Sequence, residues 1–351
     1  MSRKPRPCRQ RKRKKHLPRN GETSGRYDLL RFTEYVAQVY LPARDVKPTT
    51  CEQYLVAARQ LEAASGGRLL VKDLCDEAVQ RLMTKYPNAG TANSKRREVL
   101  TVWKYAWRKR HVDELPRDVP TRRQPQRLPE AWTVEQVNRL LVECRNVPGW
   151  FPDTGIPKGL FWASLAITIY YTGSRPSALL SVRTSDVNLV KQYLTLRAEY
   201  TKTARDVLYW LAPQAVESIR EIFDSARELV WPWGHCRRHF WRSFRKIVER
   251  AGLPSVKNKN DLFYRLRRTN LSYTAAKGGL ELARSQAGHH SARLTQRHYV
   301  DPRIARQRSA VDVLPPLLES QDKKPSRPVI VTAELLEPPG APGDGTPGFE
   351  T

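Results

Sequence analysis

The chain has 351 residues, of which 40% are apolar, and its formal net charge is +27. This length is enough for two ordinary domains with buried cores, but no apolar run approaches the ~20 residues of a membrane span and the charged N-terminus lacks the apolar segment of a secretory signal. The charge excess indicates a polyanionic partner, for which nucleic acid is the first candidate.

The five cysteines are scattered and never form a Cys-x-x-Cys pair: Cys8, Cys51, Cys75, Cys144 and Cys236. This usage predicts a reduced compartment, without a disulfide framework or a zinc ribbon. His235, Cys236 and His239 have the spacing of metal ligands only weakly, because two ligands at helical spacing and one neighbour make a poor signal. We therefore expect neither a metal site nor a cofactor.

Residues 1–27 form a tail rich in Arg and Lys, with prolines and almost no apolar residues. Like charges at this density repel one another, so the tail is predicted to be disordered. It is suited to lie along DNA phosphates, but a solubilising or localisation tail has the same composition. The sequence leaves these roles open.

Residues 28–113 are predicted to form a small helical domain of four helices. The first carries apolar residues at helical spacing, namely Leu29, Phe32, Val36, Val39 and Tyr40. The other three begin near polar residues that can cap a helix: Thr49 and Thr50, then Asp76, then Thr91.

The fourth helix carries two distinct faces. Its apolar face holds Leu100, Trp103 and Trp107, and a separate cationic stripe holds Arg97, Lys104 and Arg108. A buried aromatic face beside a cationic stripe is suited to a helix that follows a DNA groove, so these three basic residues are the candidate DNA contacts. A merely solvated basic face is the alternative.

Residues 114–130 contain four prolines among Arg and Gln, and they predict an extended linker. Two domains joined in this way could close around a duplex as a clamp. The second domain is predicted over residues 131–314, and the Pro- and Gly-rich residues 315–351 are predicted to be disordered.

The second domain is predicted to be mainly helical. It opens with a capping box from Thr133 to Gln136, followed by an apolar helix that ends at Gly173. Two strands, 193–196 and 207–211, flank a basic turn. Further helices are predicted over 214–230, 237–251, 261–276 and 280–286, with a weak one after Asp301.

Four motifs of this domain carry residues suited to phosphate chemistry, although each of them could also have a purely structural role. They read YTGSRPSALLSVRTSDVNL, YTKTARDVLYWL, YRLRRT and AGHHSARLTQRHY. An arginine at a helix start can grip two phosphate oxygens, and a lysine in a turn can donate a proton. Taken singly, each motif also fits a capped turn, an exposed lysine or a basic helix surface.

In this order, the motifs resemble the catalytic domain of the tyrosine recombinases, the phage-integrase family. The resemblance covers about 130–305, and the four-helix unit before it resembles that family's SAM-like core-binding domain. It implies a fold that is mainly α with a small antiparallel β-sheet, arranged as a two-domain clamp.

The first two motifs imply two cationic catalytic residues. Arg175 takes the place of the family's first active-site arginine, but Ala178 stands where the family usually has an acidic residue that supports the site. Lys202 sits in the hairpin turn like the family's catalytic lysine, with Arg205 as the fallback in the same turn.

The other two motifs imply four more. Arg267 matches the arginine of the family's His-x-x-Arg, and Tyr264 replaces the usual histidine. A phenol can bond a phosphate oxygen but is a poor base at pH 7. His289 follows Gly288 as in the family's Gly-His, which favours it over His290, and Tyr299 matches the nucleophile. Two other tyrosines of the domain, Tyr193 and Tyr273, do not follow a Gly-His.

The resemblance implies that Tyr299 attacks a scissile DNA phosphate and forms a 3′-phosphotyrosyl bond. Arg175, Arg267 and His289 would stabilise the phosphate charge while Lys202 protonates the leaving 5′ oxygen. The implied partners are double-stranded DNA and three further copies in a homotetramer, and the expected location is the cytoplasm, with the nucleoid.

Three alternatives remain. Ala178 and Tyr264 favour a DNA-binding protein of this fold that no longer cuts, whereas the retention of the other five site residues argues against it. A type IB topoisomerase shares the phosphotyrosyl chemistry. A ribosomal or nucleoid structural protein would explain the charge but not the ordered motifs. Integration or transposition of a mobile element is the favoured task.

Overall fold

The computed structural model of the chain describes residues 27–254, 261–306, 312 and 314. The chain divides into two compact units, Met1–Arg127 and Leu128–Thr351. The two predicted tails therefore lie outside the described residues, apart from Tyr27. Of the segment after Asp301 where a weak helix was expected, residues 302–304 form a turn, and residues 307–311 and 313 lie outside the described residues.

The first unit is helical. Its helices are α1 (Phe32–Tyr35), which continues as a π-helical turn (Val36–Tyr40), α2 (Pro48–Ala64), α3 (Asp76–Thr84) and α4 (Ala89–Arg108), with a 3₁₀ turn at Val71–Asp73. Their apolar faces meet in one core, in which Tyr35, Leu61, Leu82 and Trp103 are buried. The four predicted helices are thus present. Leu29, which we assigned to the first helix, lies before it and is exposed.

The predicted caps of α2, α3 and α4 are wrong. Helix α2 begins at Pro48, whose fixed φ suits the first helical position, so Thr49 and Thr50 lie inside the helix. Asp76 is the first residue of α3, and its carboxylate instead accepts the backbone N–H groups of Arg117 and Asp118. The side chain of Asn88 caps α4 by accepting the N–H of Thr91.

Residues 112–133, where an extended linker was predicted over 114–130, form no helix or strand. Its first part is held on the helical unit by side chains. Trp103 Nε1 donates to the carbonyl of Glu114 at 2.9 Å, and Arg96 Nε donates to that of Val119 at 2.6 Å. The first compact unit accordingly extends to Arg127, and the second begins at Leu128.

The second unit contains seven helices and three short strands among the described residues. The helices are α5 (Val134–Arg145), α6 (Lys158–Thr172), α7 (Pro176–Leu179), α8 (Pro213–Arg220), α9 (Arg237–Arg250), α10 (Asp261–Ala287) and α11 (Ala292–Tyr299). The strands β1 (Val187–Asn188), β2 (Tyr193–Leu196) and β3 (Val207–Trp210) form one antiparallel sheet in that order. The fold is thus mainly α with a small antiparallel sheet, as predicted.

Helix α6 is apolar on nearly all sides because it lies in the centre of the second core. It packs against α5, α8 and α10. The capping box of α5 is present, since Thr133 Oγ1 accepts the N–H of Gln136 while Gln136 Oε1 accepts that of Thr133.

The predicted helix 214–230 is wrong in its second half. Helix α8 ends at Arg220, and the chain then turns back to pair with the segment after α7. There the N–H of Thr184 donates to Glu228 and the N–H of Val230 donates to Val182. These long-range bonds replace the helical ones that the local pattern favoured.

Helix α10 is interrupted at Gly279, where φ is +82° and ψ is 166°. Only glycine adopts this conformation readily, so the chain changes direction between two helical segments. The two predicted helices, 261–276 and 280–286, correspond to these segments. The bend brings the end of the second segment back towards the middle of the first, where the candidate site lies.

Candidate active site

The site is built on the C-terminal end of α6, whose last three carbonyls are bonded by side chains from α10. Asn270 Nδ2 donates to Tyr170 at 2.8 Å and to Tyr171 at 3.1 Å, and Gln286 Nε2 donates to Thr172 at 2.8 Å. Helix ends expose such carbonyls, so these bonds satisfy the end of α6 and fix it to α10.

Gly173 ends α6 in the left-handed conformation, at φ +64°. A Cβ at this position would lie 2.5 Å from Oδ1 of Asn270, so glycine is required by space as well as by conformation. The tight turn leads directly to Arg175, which precedes the first residue of α7.

Arg267 is the buried centre of the site, with 1% of its surface exposed. Its Nη1 donates to the carbonyl of Gly173, and its Nη2 donates to that of Ala287 at 2.8 Å. Burial lowers the pKa of this guanidinium, and the nearby charge of Arg175 lowers it further. The sequence motif identified Arg267, but it did not indicate that the side chain also ties together α6 and both segments of α10.

The positive charges of the site are not neutralised. Among the described residues, neither Arg175 nor Arg267 forms an ion pair with a carboxylate. Two arginines close enough to repel each other, with no acidic partner, make a site that favours an anion. Ala178, where an acidic residue was expected from the resemblance, is buried in the apolar core.

His289 bonds through both ring nitrogens. Its Nε2 lies 3.2 Å from Nη2 of Arg267, and its Nδ1 lies 2.9 Å from Oγ1 of Thr295. Burial lowers the pKa of His289 to about 4, and the charges of Arg267, Arg175, His290 and Lys202 add to this effect. The imidazole is therefore neutral at pH 7, so it does not bring a positive charge of its own.

Tyr299 is the last residue of α11, and its ring packs against both arginine and histidine. The guanidinium carbon of Arg267 lies 5.1 Å from the ring centroid, and the centroid of His289 lies 4.8 Å away. Its apolar side rests on the small buried cluster of Leu271, Ala283 and Ala287. Its carbonyl accepts a bond from Ser272 Oγ at 3.3 Å, which fixes the end of α11 to α10.

Lys202 lies in the exposed turn between β2 and β3, as predicted. Its charge reaches the site, because it contributes to the lowered pKa of His289. Arg205, the fallback, lies in the same turn with its side chain exposed, and its backbone N–H donates to Thr201 Oγ1 at 3.1 Å. The structure therefore brings Arg175, Arg267, His289 and Tyr299 together, with Lys202 on a neighbouring turn.

Tyr264 lies one turn before Arg267 on α10 and is half-buried. Tyr209 on β3 also borders the site, and its hydroxyl donates to the carbonyl of Gln286 at 3.4 Å. Burial raises the pKa of Tyr209, while Arg267 and Arg175 oppose the rise. The sequence did not indicate four other residues of the site, because no local spacing connects them with the motifs: Tyr209, Asn270, Gln286 and Thr295.

Two helices present exposed basic stripes. On α4, Arg97, Lys104 and Arg108 are exposed as expected, but Trp107 is 41% exposed, so the aromatic face is only partly buried. On α9, Arg238, Arg242 and Lys246 recur at spacings of four residues and are also exposed. This second stripe was not predicted from the sequence.

His235, Cys236 and His239 do not converge on a metal site. His239 stacks on Trp233, with ring centroids 5.7 Å apart, and its pKa is lowered by burial and by nearby cationic groups, Arg242 first. In the described part of the chain, no group of three or more His, Cys, Asp or Glu side chains is placed to hold a metal ion. Within the same part, no helix is long and apolar enough to cross a membrane.

Comparison with known proteins identifies a family that matches most of the second unit. A sequence model described as the phage integrase family matches residues 131–306. A curated protein of Pseudomonas syringae, named as a tyrosine recombinase XerC, is 24% identical over 209 residues, which cover 55% of this chain and 43% of that protein. The chain thus spans about half the length of the curated relatives it matches.

Solved structures share the fold. A lambda integrase dimer bound to a COC′ core site has a TM-score of 0.60 and 15% identity, and the match covers 81% of each chain. A lambda integrase tetramer bound to a Holliday junction has a TM-score of 0.57 and 16% identity, over 74% of this chain and 77% of that one.

Proposed function

Because this chain belongs to the phage integrase family of tyrosine recombinases, we propose that it is a site-specific DNA recombinase that cuts and rejoins DNA through a 3′-phosphotyrosyl intermediate. One observation carries the proposal. The ring of Tyr299 packs against Arg267 and His289 in a cationic cluster that has no carboxylate partner among the described residues. A phenol in such a cluster is placed to meet a phosphate anion.

The chemistry is transesterification. The Tyr299 oxygen attacks the phosphorus and forms the phosphotyrosyl bond, and the bond between phosphorus and the 5′ oxygen breaks. Arg175 and Arg267 stabilise the charge that builds up on the phosphate oxygens, and Lys202 gives a proton to the leaving 5′ oxygen. The covalent link conserves the energy of the broken bond, so rejoining requires no nucleotide cofactor.

Binding of the duplex is assigned to exposed basic helices. The stripe of Arg97, Lys104 and Arg108 on α4 and that of Arg238, Arg242 and Lys246 on α9 present charges that can neutralise DNA phosphates. The basic tail, which lies outside the described residues, adds further charge in the sequence.

Strand exchange requires two duplexes, so we extend the proposal to a homotetramer on DNA. The solved lambda integrase tetramer on a Holliday junction, which shares this fold, supports that assembly. We assign the reaction to integration, excision or transposition of a mobile element. A coding sequence without element boundaries around it in its source genome would count against this task.

The test is a covalent-trapping assay. The protein is incubated in EDTA with nicked duplexes from the flanking DNA of its own gene, and denaturing gels are scanned for a protein–DNA adduct. We expect an adduct with the native protein and with the Tyr273→Phe control, and none with Tyr299→Phe.

Each other outcome changes the proposal in a defined way. An adduct retained in Tyr299→Phe would place the nucleophile elsewhere. Tight DNA binding without any adduct would favour the non-cutting protein and would point first to Ala178 and Tyr264. Relaxation of supercoils without strand exchange would favour a type IB topoisomerase.

A further inference from the structure

The chain enters the second unit through residues 129–132, which we call the entry segment, and these residues are bonded to one side of α10. Thr269 Oγ1 accepts the N–H of Trp132 at 2.8 Å and lies 3.2 Å from the carbonyl of the same residue. Arg265, four residues earlier on α10, forms an ion pair with Glu130. The side chain of Trp132 is fully buried. The entry segment is therefore a fixed part of the second unit.

The backbone that follows the candidate nucleophile is fixed to the same side of α10. Ser272 lies two helical turns after Arg265, and its buried Oγ donates to the carbonyl of Tyr299 at 3.3 Å and accepts the N–H of Asp301 at 2.8 Å. Arg267 follows Arg265 by two residues, which is about 200° around the helix axis. Helix α10 thus carries the active-site arginine on one side, and the entry segment and the backbone of Tyr299 on the other.

The carboxylate of Asp301 joins these two segments. It is 3% exposed, and its Oδ2 accepts the N–H of Ala131 at 2.9 Å and Nη2 of Arg303 at 2.8 Å. Its Oδ1 accepts the backbone N–H and Nε of Arg303, at 3.0 and 2.8 Å. Burial alone would raise the pKa of Asp301, but the bonds from Arg303 and Ala131 hold it below its ordinary value. A buried charge with four donors fixes the distance between the segments that it joins.

We propose that Asp301 is a positioning residue that ties the entry segment to the backbone of Tyr299, so that the course of the linker sets where the phenol lies relative to the phosphate. The proposal rests on the recombinase function and deepens it. Asp301 acts through the two peptide units that separate it from Tyr299 and not on the reacting atoms. The attacking oxygen has to lie close to the phosphorus and in line, and a displacement of about 1 Å lowers the rate about 100-fold.

The same contacts could serve only the stability of the second unit, so a matched control is needed. Glu62 provides it in the first unit. Its side chain is 4% exposed, it pairs with Arg31, and it accepts the backbone N–H of Thr33 at 2.8 Å. Glu62→Gln therefore removes the same kind of buried carboxylate from a place that has no bond to the segment of Tyr299.

The first test measures adduct formation at saturating DNA, together with DNA affinity and urea unfolding. Asp301→Ala should slow adduct formation about 100-fold with unchanged DNA affinity, and Asp301→Asn, which retains an acceptor oxygen, should recover part of the rate. Glu62→Gln should lose stability without slower adduct formation. A native rate in Asp301→Ala, or an equal loss of rate in Glu62→Gln, would overturn the proposal.

The second test asks whether the entry segment and Asp301 act as one unit. Ala131→Pro removes the N–H that Asp301 accepts from 170 positions away. It should slow adduct formation about tenfold by itself, and it should add little to Asp301→Ala, because the acceptor is then already absent. Losses of rate that multiply in the double variant would count against the coupling.

The third test reads the position of Tyr299 without DNA. 3-Fluorotyrosine replaces tyrosine in the full chain, and the ¹⁹F resonance of residue 299 is assigned with Tyr299→Phe. We expect this resonance to shift in Ala131→Pro and in Asp301→Ala and to stay in place in Glu62→Gln. An unshifted resonance in Ala131→Pro would show that the entry segment does not position Tyr299. A native protein whose variants show the expected shifts, but which forms no adduct, would refute the recombinase function alone.

Discussion

The guanidinium carbon of Arg267 lies 5.1 Å from the centroid of the Tyr299 ring, so a buried cation rests on the face of the candidate nucleophile. The same guanidinium bonds the carbonyls of Gly173 and Ala287. One side chain thus joins the end of α6, the bent helix α10 and the phenol. Changes at Arg267 should therefore affect both the chemistry and the stability of the second unit.

Arg267→Lys should lower the adduct rate about 100-fold or more and reduce the free energy of unfolding by about 1–3 kcal/mol. An ammonium keeps the charge but cannot bond Gly173, Ala287 and His289 in a planar fork. Trapping kinetics and urea unfolding measure the two effects. Arg220→Lys, on the exposed end of α8, is the control and should change neither. Near-native trapping by Arg267→Lys would show that charge alone suffices.

Gln286→Glu should destabilise the second unit by about 1–3 kcal/mol, because a carboxylate cannot donate to the carbonyl of Thr172 and leaves that group without its partner. The matched control is Gln136→Glu. Gln136 uses its oxygen to accept the N–H of Thr133, and glutamate fills this capping role equally well. The urea midpoints of unfolding measure the stability of both variants. An equal loss of stability in the two variants would refute the assigned role of Gln286.

Acid should destabilise the protein through His289. Burial and nearby cations lower the folded pKa of His289 to about 4, against an ordinary value of 6.5. Between these values the unfolded chain binds the proton more tightly, so the free energy of unfolding falls as the pH drops from 6.5 to 4. The loss is complete near the folded pKa.

Urea unfolding of the native protein and of His289→Gln at several pH values isolates this contribution. As the pH drops from 6.5 to 4, the free energy of unfolding of the native protein should fall relative to that of His289→Gln. A constant difference from pH 7 to pH 4 would show that His289 titrates normally in the folded state.

Lys104→Gln should weaken DNA binding about equally on all sequences. The logarithm of the binding constant decreases linearly with the logarithm of the salt concentration. If Lys104 neutralises one phosphate, this decrease should become less steep by about 1 unit of slope in the variant. Arg81→Gln removes one charge from an exposed position on α3 and serves as the control. The same loss in both variants would assign the effect to net charge rather than to the α4 stripe.

Local sequence patterns were sufficient for most of the elements. The apolar helix α6, the capping box of α5 and the strand 193–196 all appear where they were predicted. Such features depend on residues within one or two turns of each other, and the sequence displays them directly. The motifs around Arg175, Arg267, His289 and Tyr299 could likewise be recognised as short sequence segments.

Errors occurred where a distant group competed with a local preference. Asp76 was expected to cap α3, but its carboxylate satisfies the backbone of residues 117 and 118. The helix expected to reach residue 230 stops at Arg220, because the following segment pairs with residues 182–184. In both places a bond across the unit outweighs a weak local signal.

The sequence by itself determined which residues are candidates for the proposed chemistry, since arginine, lysine, imidazole and phenol at family spacing have few other uses together. Only the tertiary structure decided how these residues are held. Asn270 bonds a carbonyl 100 positions away, Gln286 bonds one 114 positions away, and Arg267 spans 94 positions to Gly173. These contacts exist because folding places the end of α6 against the bent helix α10, and a short-range sequence pattern does not predict contacts between such distant segments.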